Sequence, residues 1–326
     1  MTGKKIRVGV IGVGDFGRNH VRVYHELPDA ELIGIHDADP ERARQIAAEF
    51  GTQAFSDVAQ LAEQIDAASV AVPTKLHAQI AAQLLETGLD VLVEKPIARS
   101  VAEADGLIAT AKRTGRILQV GHLERFNPAV VALQKIVTRP LFFEVHRLGV
   151  FSPRSLDVDV VFDVMIHDLD ILLALLNSPA RDIHSVGIPV LTDKVDIAHA
   201  RIEFESGAVA NVTASRVSTE RVRKLRFFQT REYVSVDYTR QDVMRLRVAG
   251  EDSQPAIDFE KVPTQPEEPL KAELRSFLSA VRDRAAPLID GEAGRRALDL
   301  AERVMAGIVE HARRVKPELA AVPNPK

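Results

Sequence analysis

The chain has no cysteine among its 326 residues. That absence removes disulfides, thiolate nucleophiles, zinc–thiolate sites and iron–sulfur clusters together. Any acid–base or transfer chemistry must therefore use other side chains, and a reducing, cytoplasmic setting is the expectation. Long apolar runs are missing too. The opening MTGKKIRVGVIGVG places two lysines before an apolar stretch, as a signal peptide does, but the stretch is short, broken by glycine and followed by DFGRNH instead of a small-residue cleavage site. It reads as a buried strand, and no membrane partner is expected. Positive charge is not in excess: 42 Lys+Arg stand against 46 Asp+Glu, a net charge of −4. With no broad basic field to hold a phosphate backbone, nucleic acid is set aside as a partner. No internal repeat is visible. What remains is a chain 46% hydrophobic and 27% charged, balanced like a soluble globular protein and long enough for about two domains.

From Met1 to about Gly121, short β-branched runs alternate with helical stretches. Ile6–Ile11 is apolar at nearly every position, as a parallel strand covered on both faces requires. A helix from Gly17 stops at Leu27, before Pro28. Leu32–His36, Ala67–Val72, Val91–Val93 and Ile117–Val120 read as further strands. Between them fall helices over Pro40–Phe50, capped by Asp39 and closed by Gly51, over His77–Thr87, closed by Gly88, and around Val101–Thr114. Regular βαβ alternation predicts an α/β fold, a doubly wound parallel sheet over residues 1–121.

Beyond Gly121 the pattern changes. Phe142–Leu148, Ile183–Val190, Ile197–Phe204, Ala208–Ser215, Leu225–Thr230 and Tyr233–Asp237 alternate with period two. Helices are expected only at Pro128–Ile136 and about Val160–Leu176 until two amphipathic stretches, Leu270–Arg284 and Glu292–Arg314. Residues 122–326 are thus expected to form an α+β domain on a mostly antiparallel open sheet. Ser253–Pro269, rich in Pro and Glu, reads as a surface loop, and the VPNPK tail as frayed.

Gly12-Val13-Gly14-Asp15-Phe16-Gly17 fits G-x-G-x-x-G between the first strand and its helix. The first glycine permits the tight turn, the second lets backbone approach a pyrophosphate, and the third lets helix pack on strand, with the helix amides meeting the phosphate charge. Alone the pattern is weak, since glycines also serve an ordinary tight turn. Asp37, ending the second strand roughly 20 residues after Gly17, strengthens it, because a carboxylate there binds the ribose hydroxyls. The same charge repels a 2′-phosphate, so NAD is favoured over NADP, although Arg42 stands close enough to accommodate that phosphate. Pro73 and Thr74 end the third strand on the nicotinamide side. His77 follows, read either as a cofactor neighbour or as a cap. None of Tyr24, Tyr233 and Tyr238 is followed by lysine at the fourth position, which sets aside the Tyr-x-x-x-Lys dehydrogenases.

Glu94-Lys95-Pro96 sits at the carboxyl end of the fourth strand, the rim where open α/β sheets bind ligands. Lys95 suits a proton-handling or hydroxyl-orienting role and is equally read as an ion pair with Glu94. Asp163 and His167 stand at i and i+4, one face of a helix, where histidine can act as base on a hydroxyl while the carboxylate orients substrate or ring. The competing reading makes His167 a satisfied core residue beside a helix start capped from the Asp157 and Asp159 region. Asp168 and Asp170 raise a metal site, but without a second nearby histidine zinc is not expected.

These motifs, in this order and with these gaps, resemble the Gfo/Idh/MocA oxidoreductases from about Lys5 to Val315, including the closing PLIDGEAGRRALDLAERV. The resemblance implies a Rossmann domain, an α+β domain whose open sheet forms a homodimer or homotetramer interface, and oxidation of a sugar or polyol carbon by nicotinamide. It implies Lys95 and His167 as the catalytic pair with Asp163 beside them, and Gly12, Gly14, Asp15, Phe16, Gly17, Asp37, Pro73, Thr74, His77, Glu94 and Lys95 along the cofactor. The hinge segment Gly121-His122-Leu123-Glu124-Arg125-Phe126-Asn127-Pro128 and DVDVVFDVMIHDLDI are similar to the UDP-N-acetylglucosamine 3-dehydrogenases of that family. The glycine pair usual before the Asp-x-x-x-His motif is replaced by Asp159 and Val160. For a nucleotide sugar, His122 and Asn127 join the substrate side, and Arg125, Arg147 and Arg154 are the candidate cations for the diphosphate, each read alternatively as solvated or held in a structural ion pair. A free sugar or inositol dehydrogenase and a non-catalytic dinucleotide-binding regulator remain the competing readings.

Overall fold

Six short segments, most of them apolar, build the first sheet. The computed structural model describes residues 5–152, 158–250 and 256–319. Strands β1 (Ile6–Ile11), β2 (Ala30–His36), β3 (Gln53–Ala54), β4 (Ala67–Val70), β5 (Asp90–Glu94) and β6 (Leu118–Gly121) pair in parallel in the order β3-β2-β1-β4-β5-β6. Helices α1 (Asp15–Glu26), α2 (Pro40–Phe50), α3 (Val58–Ala62), α4 (His77–Glu86) and α5 (Val101–Thr114) connect them. Local chemistry sets their ends. The Asp39 carboxylate accepts the amides of Glu41 and Arg42 to start α2, Gly51 in the left-handed region stops it, and Ser100 and Gly115 do the same for α5. The strand order reverses between β1 and β4, which opens a crevice at their carboxyl ends.

The chain continues through α6 (Pro128–Leu133), capped by Asn127, into an eight-stranded sheet. Its strands are β7 (Phe142–Leu148), β8 (Ala180–Ile188), β9 (Ile197–Phe204), β10 (Val209–Ser215), β11 (Val222–Gln229), β12 (Glu232–Asp237), β13 (Asp242–Ala249) and β14 (Ala256–Val262). They lie in the order β14-β13-β12-β11-β7-β10-β9-β8, and all pairs are antiparallel except β7 with β10. Helix α7 (Ile166–Leu176) follows β7, and α8 (Pro269–Asp283) and α9 (Gly291–Leu319) end the described chain. No described helix is long and apolar enough to cross a membrane.

Two compact units result. One holds the chain through Phe126 plus Glu267–Leu298, and the other holds Asn127–Pro266 plus the chain from Asp299. The sequence pattern divides the chain once, at Gly121, whereas the structure returns a late segment to the first unit. The reason is hydrophobic. Leu270, Leu274, Phe277, Leu278 and Val281 of α8 share one core with Ile6, Val21, Tyr24 and Leu92. At the start of α9, Gly294 lies so close to Val120 of β6 that a side chain there would meet it at 2.7 Å.

Three local expectations are corrected. Ser253–Pro269 is not wholly a loop, since Ala256–Val262 pairs with β13 as the edge of the second sheet, and β13 itself was not anticipated. The stretch before α7 is not regular α-helix either: Val161–Met165 forms one wider π turn, in which the Ile166 amide reaches back to the Val161 carbonyl. The Asp159 side chain does not cap that turn but accepts the Val195 amide at 2.8 Å. Asp157, Arg154 and the VPNPK tail lie outside the described residues.

Candidate active site

In the first unit the predicted residues gather at the carboxyl ends of the parallel strands. The three glycines of the β1–α1 turn are there for different reasons. Gly12 has φ +85°, and a Cβ on it would stand 2.7 Å from the Ala71 carbonyl oxygen. A Cβ on Gly17 would lie 1.9 Å from the Gly12 oxygen. Both are demanded by the protein's own backbone. Around Gly14 nothing lies within 4 Å of an added Cβ, so no group of the first unit requires glycine there. The space beside Gly14 is open to a group approaching from outside. Gly14 is also the N-terminal boundary of α1, which has no side-chain cap, leaving first-turn amides to an incoming anion. Asp15 and the partly exposed Phe16 form that first turn.

Asp37 follows β2, and its carboxylate accepts the Val13 amide at 2.7 Å and the Asp39 amide at 2.8 Å. It thereby fixes the glycine turn as well as placing a negative charge beside it. Arg42 lies 3.4 Å from Asp37 and 3.4 Å from Asp39, held between two carboxylates. An open cradle, an uncapped helix and a carboxylate at the second strand fit a dinucleotide.

Pro73 is exposed beyond β4, and Thr74 opens a short turn leading to α4. At the end of β5, Lys95 is half-buried and its peptide to Pro96 is cis. Glu94 is buried. One of its oxygens lies 2.9 Å from His20 Nε2 and the other accepts the Lys95 amide at 3.3 Å. Gly121 on the neighbouring strand leaves room for that carboxylate, which would stand 2.6 Å from a Cβ at that position. His20 was not anticipated. The signal available was its place three residues after Gly17, on the helix face that must meet the sheet. His77 is buried, with Nδ1 2.8 Å from the Pro96 carbonyl and Nε2 2.8 Å from the Val72 carbonyl. Burial lowers its pKa from the ordinary histidine value, against the raising effect of those two contacts. His122 is buried just after β6, and Arg125 is half-buried in the turn Leu123–Phe126.

In the second unit, Asp163 lies in the π turn and His167 in the first turn of α7, both half-buried. Arg147 on β7 does not stand as an open cation for a diphosphate. It is buried, donates from Nε and Nη2 to the two oxygens of Asp168 at 2.7 and 2.8 Å, and lies 4.9 Å from the centre of the Tyr238 ring. A guanidinium taken out of water needs such a bidentate partner. Asn127 is likewise occupied structurally: it accepts the Ala129 amide and donates to the Tyr238 carbonyl, each at 3.1 Å.

Residues 6–122 match the family model described as oxidoreductase family, NAD-binding Rossmann fold, and residues 146–235 match the GFO/IDH/MocA C-terminal domain. The chain belongs to the Gfo/Idh/MocA oxidoreductases. Among Gfo/Idh/MocA proteins it is 38% identical over 307 residues to the UDP-N-acetylglucosamine 3-dehydrogenase of Acidithiobacillus ferrooxidans, covering 93% of this chain and 97% of that one. A solved structure of that enzyme matches with a TM-score of 0.88 at 36% identity, over 94% of this chain and 98% of the other. The scyllo-inositol 2-dehydrogenase (NAD(+)) of Bacillus subtilis is 30% identical over 234 residues, 66% of this chain and 68% of its own. This Gfo/Idh/MocA member is accordingly an NAD-binding oxidoreductase.

Proposed function

We propose that the protein oxidises the C3 hydroxyl of UDP-N-acetylglucosamine, with NAD as cofactor. The observation that carries this reading is the 38% identity to the Acidithiobacillus ferrooxidans enzyme, which extends over 93% of this chain and thus through both units. Amides of the Gly12–Gly17 turn hold the pyrophosphate and Asp37 the ribose hydroxyls. NAD is preferred to NADP because the Asp37 carboxylate opposes a 2′-phosphate, while Arg42 is engaged by Asp37 and Asp39. When bound, the nicotinamide supplies the two-electron acceptor for the oxidation. His167 takes the hydroxyl proton as general base, Lys95 donates a hydrogen bond that orients the hydroxyl oxygen, and Asp163 orients the ring or the sugar. Arg147 is committed to Asp168, and the diphosphate is assigned to Arg125 and Arg154 as its cations.

The same reading makes the protein a cytoplasmic homodimer or homotetramer assembled through the second sheet. The inositol relative favours a second reading, a free polyol as substrate. NADH formation measured with UDP-N-acetylglucosamine, free sugars and inositols separates them. Turnover of the nucleotide sugar that disappears in K95A and H167A, with NAD still bound, is the expected result. Activity on unmodified polyols alone would overturn the substrate, and NAD binding without turnover of any of them would make the protein a regulator.

A further inference from the structure

We propose that His77 is a positioning residue that ties the Val72–Thr74 segment to the Lys95–Pro96 segment, so that one buried ring sets the cofactor side and the proton-handling side of the first unit together. The inference rests on the reading of Lys95 as the hydroxyl-orienting group. Its observations are geometric. The ring is 1% exposed, and its two nitrogens lie 2.8 Å from two main-chain carbonyl oxygens, that of Pro96 after β5 and that of Val72 after β4.

The two simpler explanations of a histidine at the start of α4 do not account for this. A helix cap must accept amide hydrogens of its own first turn. His77 instead reaches carbonyls outside the helix, which only a donor can satisfy, and α4 has no side-chain cap. A packing residue would fill the space without polar ends, whereas both ends of this ring are used. Both neighbours being acceptors, the ring makes two hydrogen bonds only when both nitrogens carry protons. Burial, the largest effect, and Lys95 oppose that charged form, the two carbonyls and Glu94 favour it, and the balance lowers the pKa. The neutral ring therefore donates to one carbonyl at a time while standing 2.8 Å from both.

The tripeptide containing Lys95 is therefore held on both sides. His20 grips the Glu94 carboxylate at 2.9 Å, and His77 grips the Pro96 carbonyl at 2.8 Å. Of these two histidines, His77 is the one that also reaches Val72. Loosening its Pro96 contact should displace Lys95, and loosening its Val72 contact should displace the segment that faces the nicotinamide.

Two amide substitutions separate the halves. In H77N the amide nitrogen stands where Nδ1 stood and can serve Pro96 but not Val72; in H77Q it stands where Nε2 stood and can serve Val72 but not Pro96. The measurements are calorimetric Kd for NAD, and kcat and KM on any hydroxyl substrate the wild-type protein oxidises. We expect H77N to weaken NAD about tenfold with kcat within about threefold, and H77Q to lose about tenfold in kcat with NAD affinity within about threefold, the scale of one hydrogen bond each. H77F should show both losses. The same parameter changing in both amide variants, or no change beyond a lower unfolding midpoint, overturns the proposal. Should the wild-type protein oxidise none of the sugars, the substrate reading fails, and the NAD affinities of H77N and H77Q still decide whether the Val72 contact acts as stated.

Discussion

Replacing glycines 12, 14 and 17 by alanine, one at a time, separates what the fold needs from what the ligand needs. In G17A the new methyl would stand 1.9 Å from the Gly12 oxygen, so the turn must shift. Overpacking of that kind costs about 1–3 kcal/mol. In G12A a 2.7 Å approach to the Ala71 oxygen adds to a φ of +85°, and the left-handed backbone costs a further 1–2 kcal/mol or so. At roughly 2–4 °C per kcal/mol for a unit of this size, Tm should fall by about 2–12 °C in G17A and about 4–20 °C in G12A. G14A is different. Its methyl meets nothing within 4 Å, and φ is −62°, so the fold loses no contact. Restricting the unfolded chain should leave Tm unchanged or raise it by the equivalent of about 0.4–1 kcal/mol. Its calorimetric Kd for NAD should nevertheless rise by about tenfold or more, because the methyl fills the space a pyrophosphate must enter. Wild-type NAD affinity in G14A, or a loss of Tm like that of G12A, would refute the reasoning.

Arg147→Ala should lower stability by about 3–5 kcal/mol in urea unfolding, since it strands the buried Asp168 carboxylate. Intact stability with weakened nucleotide-sugar binding would return Arg147 to a ligand role. Asp37→Ser should shift the ratio of NADP to NAD affinity toward NADP by about tenfold, the scale of one removed charge opposing a phosphate; an unchanged ratio in paired titrations contradicts the assignment. Burial raises the Asp196 carboxyl pKa, but the amides of Val190, Leu191 and Thr192 and the Thr192 hydroxyl outweigh it and bring it from 3.8 down to about 2. A depressed carboxyl stabilises the fold above its unfolded pKa and loses that contribution as pH falls from about 4 to about 2. The stability gap between wild type and D196N should therefore narrow over that window, and a constant gap in acid unfolding curves would count against it.

Much of the first unit was legible because its signals are local. β1 is apolar at nearly every position, Asp39 and Gly51 bracket α2, and the spacing from Gly17 to Asp37 covers one helix and the next strand. What was not legible depends on partners far along the chain. The spacing from Gly17 places His20 on the sheet-facing side of α1, but the Glu94 it meets is 74 residues away. Arg147 could be read as a ligand cation or as half of a structural ion pair, and the choice was not legible because the Asp168 that neutralises it lies on another element, 21 residues on. β14 carries only a short alternation, Ile257-Asp258-Phe259-Glu260, inside a stretch rich in Pro and Glu, and Ala256, Ile257, Asp258 and Phe259 are all exposed. An edge strand interrupted by Asp258, Glu260 and Lys261 has no face to bury, and its charges guard the open edge. The π turn before α7 changes the number of residues in one helical turn, which hydrophobic spacing over so short a stretch does not register.

The place of α8 in the first core has a consequence for biosynthesis. A ribosome delivers Ile6–Gly121 early, yet Leu270, Leu274, Phe277 and Leu278, which complete that core, emerge only after the whole second sheet has been made. Until then the nascent nucleotide-binding half presents an apolar groove beside Val21 and Tyr24. Release of the chain's last third, and not completion of the parallel sheet, sets when that half can close, and a truncation before α8 would leave the groove open to chaperones or to other unfinished chains.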